Sequence, residues 1–120
     1  MDAPVPSQIK YLRAERCLQL DYEDGTQYQF TAEFLRVFSP SAEVRGHGKG
    51  QEVLQLDKQD VAISEIETVG NYAVRLVFSD GHNSGIYSWE LFYELGENRD
   101  NLWQDYLQRL AEAGHPRLDH

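Results

Sequence analysis

At 120 residues, with 41% hydrophobic residues that include seven Tyr, five Phe and two Trp, the chain can bury one core and has no room for a second domain of any size. Twenty acidic residues against eleven basic ones give a net charge of -9, which repels phosphate backbones and anionic head groups and excludes nucleic acid and membrane surfaces as first partners. No window approaches the roughly 18 apolar residues of a membrane span, the start MDAPVPSQIK lacks a basic region followed by an apolar run, and one cysteine cannot close an intrachain disulfide; the expected location is cytoplasmic.

Residues 1–7 carry two prolines and no periodicity and read as a loose lead-in. Residues 9–12 form a short strand. In 17–22, Leu18, Leu20 and Tyr22 share one face, with Cys17 a small buried thiol at the strand start. Glu23-Asp24-Gly25 makes a turn, and Tyr28 and Phe30 return on the same face, so the segment is a hairpin. Thr31 then offers an N-cap oxygen to a short helix over 32–37, with Glu33 in its dipole-favoured first turn.

Residues 39–58, containing SPSAEVRGHGKGQE, are rich in breakers and read as a long loop. The run Gly46-His47-Gly48-Lys49-Gly50 lacks the flanking strand and helix of a phosphate cradle and reads as flexible loop. Residues 61–66 form a strand with Val61, Ile63 and Ile66 inward, and Val69-Gly70-Asn71 turns the chain. In 72–78, Tyr72, Val74, Leu76 and Phe78 alternate with Ala73, Arg75 and Val77. Asp80-Gly81 supplies a two-residue connection, His82 lies exposed just past it, Ile86-Tyr87 returns, and Ser88 caps a helix starting at Trp89.

The two segments echo each other: Asp24-Gly25 matches Asp80-Gly81, and the capped helix starts match one residue out of step. The expected fold class is therefore α+β, an antiparallel sheet built from two hairpin-plus-short-helix units with a C-terminal helix packed on it. Leu95-Gly96 reads as a helix end, and Leu102, Trp103, Tyr106, Leu107 and Leu110 as the apolar core-packing stripe of a last helix. A single domain over 8–113 with a fraying tail at 114–120 follows.

Phosphate-loop, nucleophile-elbow, Cys-x-x-Cys and His-Glu-x-x-His signatures are absent. Of the histidines, His115 and His120 lie in the tail, so a metal site would use His47 or His82 with Asp80 or Glu43. The plainer role for His82 is to hydrogen-bond and order its turn.

Leu35-Arg36 with Ser39-Pro40-Ser41-Ala42-Glu43, Val69-Gly70-Asn71-Tyr72-Ala73, and Asp80-Gly81-His82 with Ser84-Gly85-Ile86-Tyr87-Ser88-Trp89 together resemble the gamma-butyrobetaine hydroxylase-like N-terminal domain family, in its small stand-alone bacterial form. The resemblance runs over roughly residues 8–95. It implies an accessory module: in eukaryotic hydroxylases such a domain precedes a 2-oxoglutarate- and iron-dependent catalytic domain, and elsewhere it accompanies an iron–sulfur carrier ATPase. No histidine here begins the His-x-Asp or His-x-Glu element of such oxygenases, so the chemistry does not carry over and no enzyme activity is expected.

The resemblance also implies a zinc held by three cysteines and a histidine. The histidine is His82, but the cysteine positions fall on Ser39, Ser41 and Val44, which replace thiolates with hydroxyls and a hydrocarbon. No structural zinc and no other resident cofactor is expected. The first reading is a non-catalytic module that binds a protein partner through His82, Asp80, Tyr87, Trp89, Asn71 and the 39–50 loop. The second is weak iron binding at His82, linked to iron–sulfur or 2-oxoglutarate oxygenase metabolism. Nothing in the pattern signals an oligomeric state.

Overall fold

The computed structural model describes residues 3–46 and 53–116. Strands β1 (Gln8–Leu12), β2 (Cys17–Asp21) and β3 (Gln27–Thr31) form one antiparallel sheet in that order, followed by helices α1 (Ala32–Val37) and α2 (Ala42–Arg45). Strands β4 (Ile63–Val69), β5 (Ala73–Phe78) and β6 (Ile86–Ser88) form a second antiparallel sheet, and α3 (Trp89–Glu112) closes the chain. The α+β arrangement expected from the pattern is present, its strands divided between two sheets with the C-terminal helix packed on them.

One core joins both sheets. Leu18, Leu20 and Phe30 from the first meet Val74, Leu76, Phe78 and Tyr87 from the second, all essentially inaccessible to water. Burying a side chain of this size contributes roughly 1.5–3 kcal/mol, so this shared interior binds the two sheets into one cooperative unit. Phe92 of α3 stacks on Tyr87 with ring centroids 5.5 Å apart and lies 6.0 Å from Phe30, which seats the helix over the seam. A smaller cluster of Val37, Tyr106 and Leu110 fastens the far half of α3 to α1.

Local signals placed the helix starts correctly. Thr31 Oγ1 accepts from Phe34 N at 3.0 Å, and Ser88 Oγ accepts from Leu91 N at 3.1 Å. Three other expectations are corrected. The helix does not stop at Leu95-Gly96: a Cβ on Gly96 would lie 2.5 Å from the Tyr28 ring, so this glycine admits a close-packed tyrosine inside a continuous helix. Tyr72 does not join the inward face but is 56% exposed, because the strand begins one residue later with the fully buried Ala73. Ile66 is also exposed, since a bulge between Ile63 and Glu65 changes which residues of β4 face the core.

The second connection is longer than two residues. A tight turn, with Gly81 N bonded to Phe78 O and Phe78 N to His82 O, is followed by residues 83–85 before β6 begins. Among the described residues, no helix is long and apolar enough to cross a membrane.

Candidate functional site

The side chains around the second turn form one connected polar cluster. Asp80 starts it in the way Asx turns do, with Oδ1 accepting from His82 N at 3.1 Å. Its other oxygen, Oδ2, accepts from Arg36 Nε of α1 and from Lys58 Nζ, both at 2.8 Å. Burial would raise the Asp80 pKa, but the Lys58 ammonium, the His82 amide and Arg36 outweigh it and hold it at about 2. Arg36, itself buried, extends the cluster by donating from Nη1 to Gln55 Oε1 at 3.0 Å, and Tyr106 of α3 donates to Gln55 O at 2.6 Å.

His82 turns inward, which corrects the expectation that it is exposed: its side chain is 4% accessible. The Gly81 backbone, at φ 92°, delivers the ring beneath the turn and against Phe78, 6.0 Å away between centroids. There Nε2 lies 2.8 Å from Ser39 Oγ, and Nδ1 lies 3.1 Å from Glu43 Oε1. A carboxylate can only accept, so it favours the proton on Nδ1 and leaves Nε2 to accept from the Ser39 hydroxyl. Burial and the nearby Arg36 guanidinium hold the His82 pKa below its ordinary 6.5, against the opposing pull of Glu43 and Asp80. The ring is accordingly neutral at pH 7.

The cluster continues outward. Ser84 Oγ donates to Glu43 Oε1 at 2.8 Å and lies 2.7 Å from Ser41 Oγ, which caps α2 by accepting from Glu43 N at 3.2 Å. The Ser39, His82 and Glu43 side chains thus stand in the order of a hydroxyl–imidazole–carboxylate relay. The hydroxyl is not placed for attack on a substrate. Ser39 is 1% exposed, its oxygen also accepts from Ser41 N at 3.2 Å, and Gly85 packs so close that a Cβ there would come within 2.5 Å of it.

The residues at the positions implied for a structural zinc do not fit that ion. Ser39 and Ser41 already spend their oxygens on His82, Ser84 and backbone amides, and Val44 has no donor atom at all. Among the described residues, no group of three or more His, Cys, Asp or Glu side chains is gathered as metal ligands would be. His47, the other histidine considered for a metal, lies outside the described residues.

The remaining sequence-derived candidates are dispersed. Tyr87 is fully buried and its hydroxyl donates to Leu35 O. Trp89 is half-buried and donates from Nε1 to Asn71 O at 2.8 Å, which ties the start of α3 to the β4–β5 turn. Tyr87 therefore presents no surface of its own.

What the sequence reading did not find is a groove of about 780 Å³ beside the cluster, between α1–α2, the segment 53–55 and α3. Val44, Val53, Leu91, Leu95, Leu102 and Tyr106 supply its apolar walls. Arg45 and Arg109 stand in the same lining, with Glu94 and Asn98. Part of the signal was in the α3 stripe: Tyr106 and Leu110 are buried, while Leu102 faces the groove.

The description gamma-butyrobetaine hydroxylase-like, N-terminal, matches residues 9–93. No curated protein matches the chain. Two solution NMR structures resemble it, at 46% identity over 97% of this chain and 91% of the other, and at 45% identity over 99% and 91%, each with a TM-score of 0.82. A crystal structure from Acidithiobacillus ferrooxidans ATCC 23270, of a protein with unknown function in the DUF971 family, is 37% identical over 76% of this chain and 91% of that one, with a TM-score of 0.64. Given a match that spans more than half of its residues, the chain belongs to the gamma-butyrobetaine hydroxylase-like N-terminal domain family.

Proposed function

We propose that this protein is a non-catalytic binding module whose groove takes an apolar peptide segment, bearing a carboxylate, from a partner protein. The observation that carries this reading is the groove itself, which is mostly apolar in its lining and of the size in which ligands are usually buried. Two guanidinium groups, Arg45 and Arg109, sit in that lining, Arg109 also paired with Asp105 at 3.2 Å and Glu94 standing in the same lining. Apolar walls with the exposed Arg45 at their edge suit an apolar segment with an acidic end or side chain. The hydroxyl of the buried relay is sealed under Gly85, which argues against hydrolytic chemistry there.

The test is a selection of peptides from a displayed random library on the full chain, followed by NMR mapping of the winners. Enriched apolar, acidic peptides that shift the amides of Val44, Val53, Leu95 and Tyr106, and that no longer bind Val53→Glu, are the expected result. Val53 is 53% exposed, so that substitution leaves the core intact. Failure to enrich any peptide, or shifts centred elsewhere, overturns the proposal.

Iron binding at His82, the other reading, has less support. Asp80 points away to Arg36 and Lys58, and both ring nitrogens of His82 are engaged by Ser39 and Glu43. Coordination would first have to break one of those contacts.

A further inference from the structure

Helix α2 is four residues long, too short to persist on its own backbone hydrogen bonds, yet Val44 and Arg45 from it form one wall of the groove. What holds it can be traced. Val53 N donates to Val44 O at 2.8 Å along the groove side. On the opposite side, the loop after the second turn grips it at three points: Glu43 lies against His82 at 3.1 Å, Ser84 donates to Glu43 at 2.8 Å, and Ser84 meets Ser41 at 2.7 Å. Glu43 is 69% exposed in its side chain, whereas His82 and, beyond it, Ser39 are buried. One polar chain therefore runs from the protein surface, through the imidazole, to the buried hydroxyl of Ser39.

We propose that the His82–Glu43–Ser84 contacts position α2 and so set the shape in which the groove accepts its ligand. The inference rests on the groove being a binding site. Because Glu43 and Ser84 lie at the surface, removing their side-chain contacts frees α2 while the core beneath stays packed. These are positioning residues: they touch the helix that touches the ligand. The fluorescent anion 8-anilinonaphthalene-1-sulfonate, apolar in body and negative at one end, serves as the probe.

The experiment titrates that probe into the wild-type chain, Val53→Glu, Glu43→Ala, Ser84→Ala and the Glu43→Ala/Ser84→Ala double variant, with thermal melts of each. The wild type is expected to bind saturably and Val53→Glu to lose binding. Glu43→Ala and Ser84→Ala should each weaken binding by about fivefold or more, and the double variant should weaken it by less than the two effects combined, since the Glu43–Ser84 contact is lost in both. Amide shifts in Glu43→Ala should concentrate in α2. Unchanged probe affinity in both single variants, or loss of affinity only in proportion to lowered melting temperature, overturns the inference while leaving the groove intact. Absence of saturable binding in the wild type, or undiminished binding by Val53→Glu, removes the groove reading and with it this inference.

Discussion

The two hairpin turns are nearly superimposable in their bonding and opposite in what they do. In the first, Tyr22 N donates to Thr26 O at 2.9 Å and Gly25 N to Tyr22 O at 3.1 Å. In the second, Phe78 N donates to His82 O at 2.9 Å and Gly81 N to Phe78 O at 3.0 Å. Asp24 and Asp80 each accept from the amide two residues on, and Gly25 and Gly81 have φ of 91° and 92°. The difference is the residue after the glycine, Thr26 against His82, and the one extra residue before the second helix cap. With those changes, an exposed turn becomes the inner support of a groove wall. Turn chemistry sets the path of the backbone, and the side chains met across the fold decide its use.

The comparison can be broken at its two aspartates. Asp80→Ala leaves the buried Arg36 without its carboxylate, so we expect a loss of about 3 kcal/mol in urea unfolding, within the range for removing one partner of a buried pair. Asp24→Ala, at the exposed turn, should cost far less, and equal losses would contradict the distinction drawn here. Gly85→Ala forces a methyl against Ser39 Oγ, where the gap is 2.5 Å, and should cost about 2 kcal/mol by overpacking.

A smaller effect is the pH dependence. Because folded His82 holds a proton less readily than the unfolded ring, the unfolded state binds more protons below about the ordinary pKa of 6.5. Stability should therefore be fully present above that value and decline as pH falls through it, and His82→Gln should flatten the profile between pH 5 and 7.5. A second decline, from Asp80, begins as pH drops below the usual 3.8 and continues to about 2. The smallest difference sharpens the likeness of the turns: Gly25→Ala and Gly81→Ala, each at positive φ with nothing within 4 Å of the new methyl, should cost the same, about 1 kcal/mol.

Much of the fold was legible because its signals are local. Asp-Gly with a following amide, and Thr31 or Ser88 three residues before the amide it caps, are complete within a few residues of sequence. The inward turn of His82 was not legible, because its partners Ser39 and Glu43 lie some forty residues earlier and only the fold brings them in. Gly96 misled for a similar reason, since its packing against Tyr28 is a tertiary fact. Arg36 carries no periodic sign that it faces inward to Asp80. The groove was illegible as a unit, being assembled from three separated segments whose residues each read as ordinary core or loop.

The central claim, that the second turn is built into the interior through a neutral imidazole, is tested most directly by long-range ¹H–¹⁵N NMR of His82 in the full chain at pH 7. The account predicts the neutral tautomer with the proton on Nδ1, Nε2 shifted by an accepted hydrogen bond, and loss of that signature in Ser39→Ala. A ring that titrates near 6.5 in rapid exchange with water would contradict it.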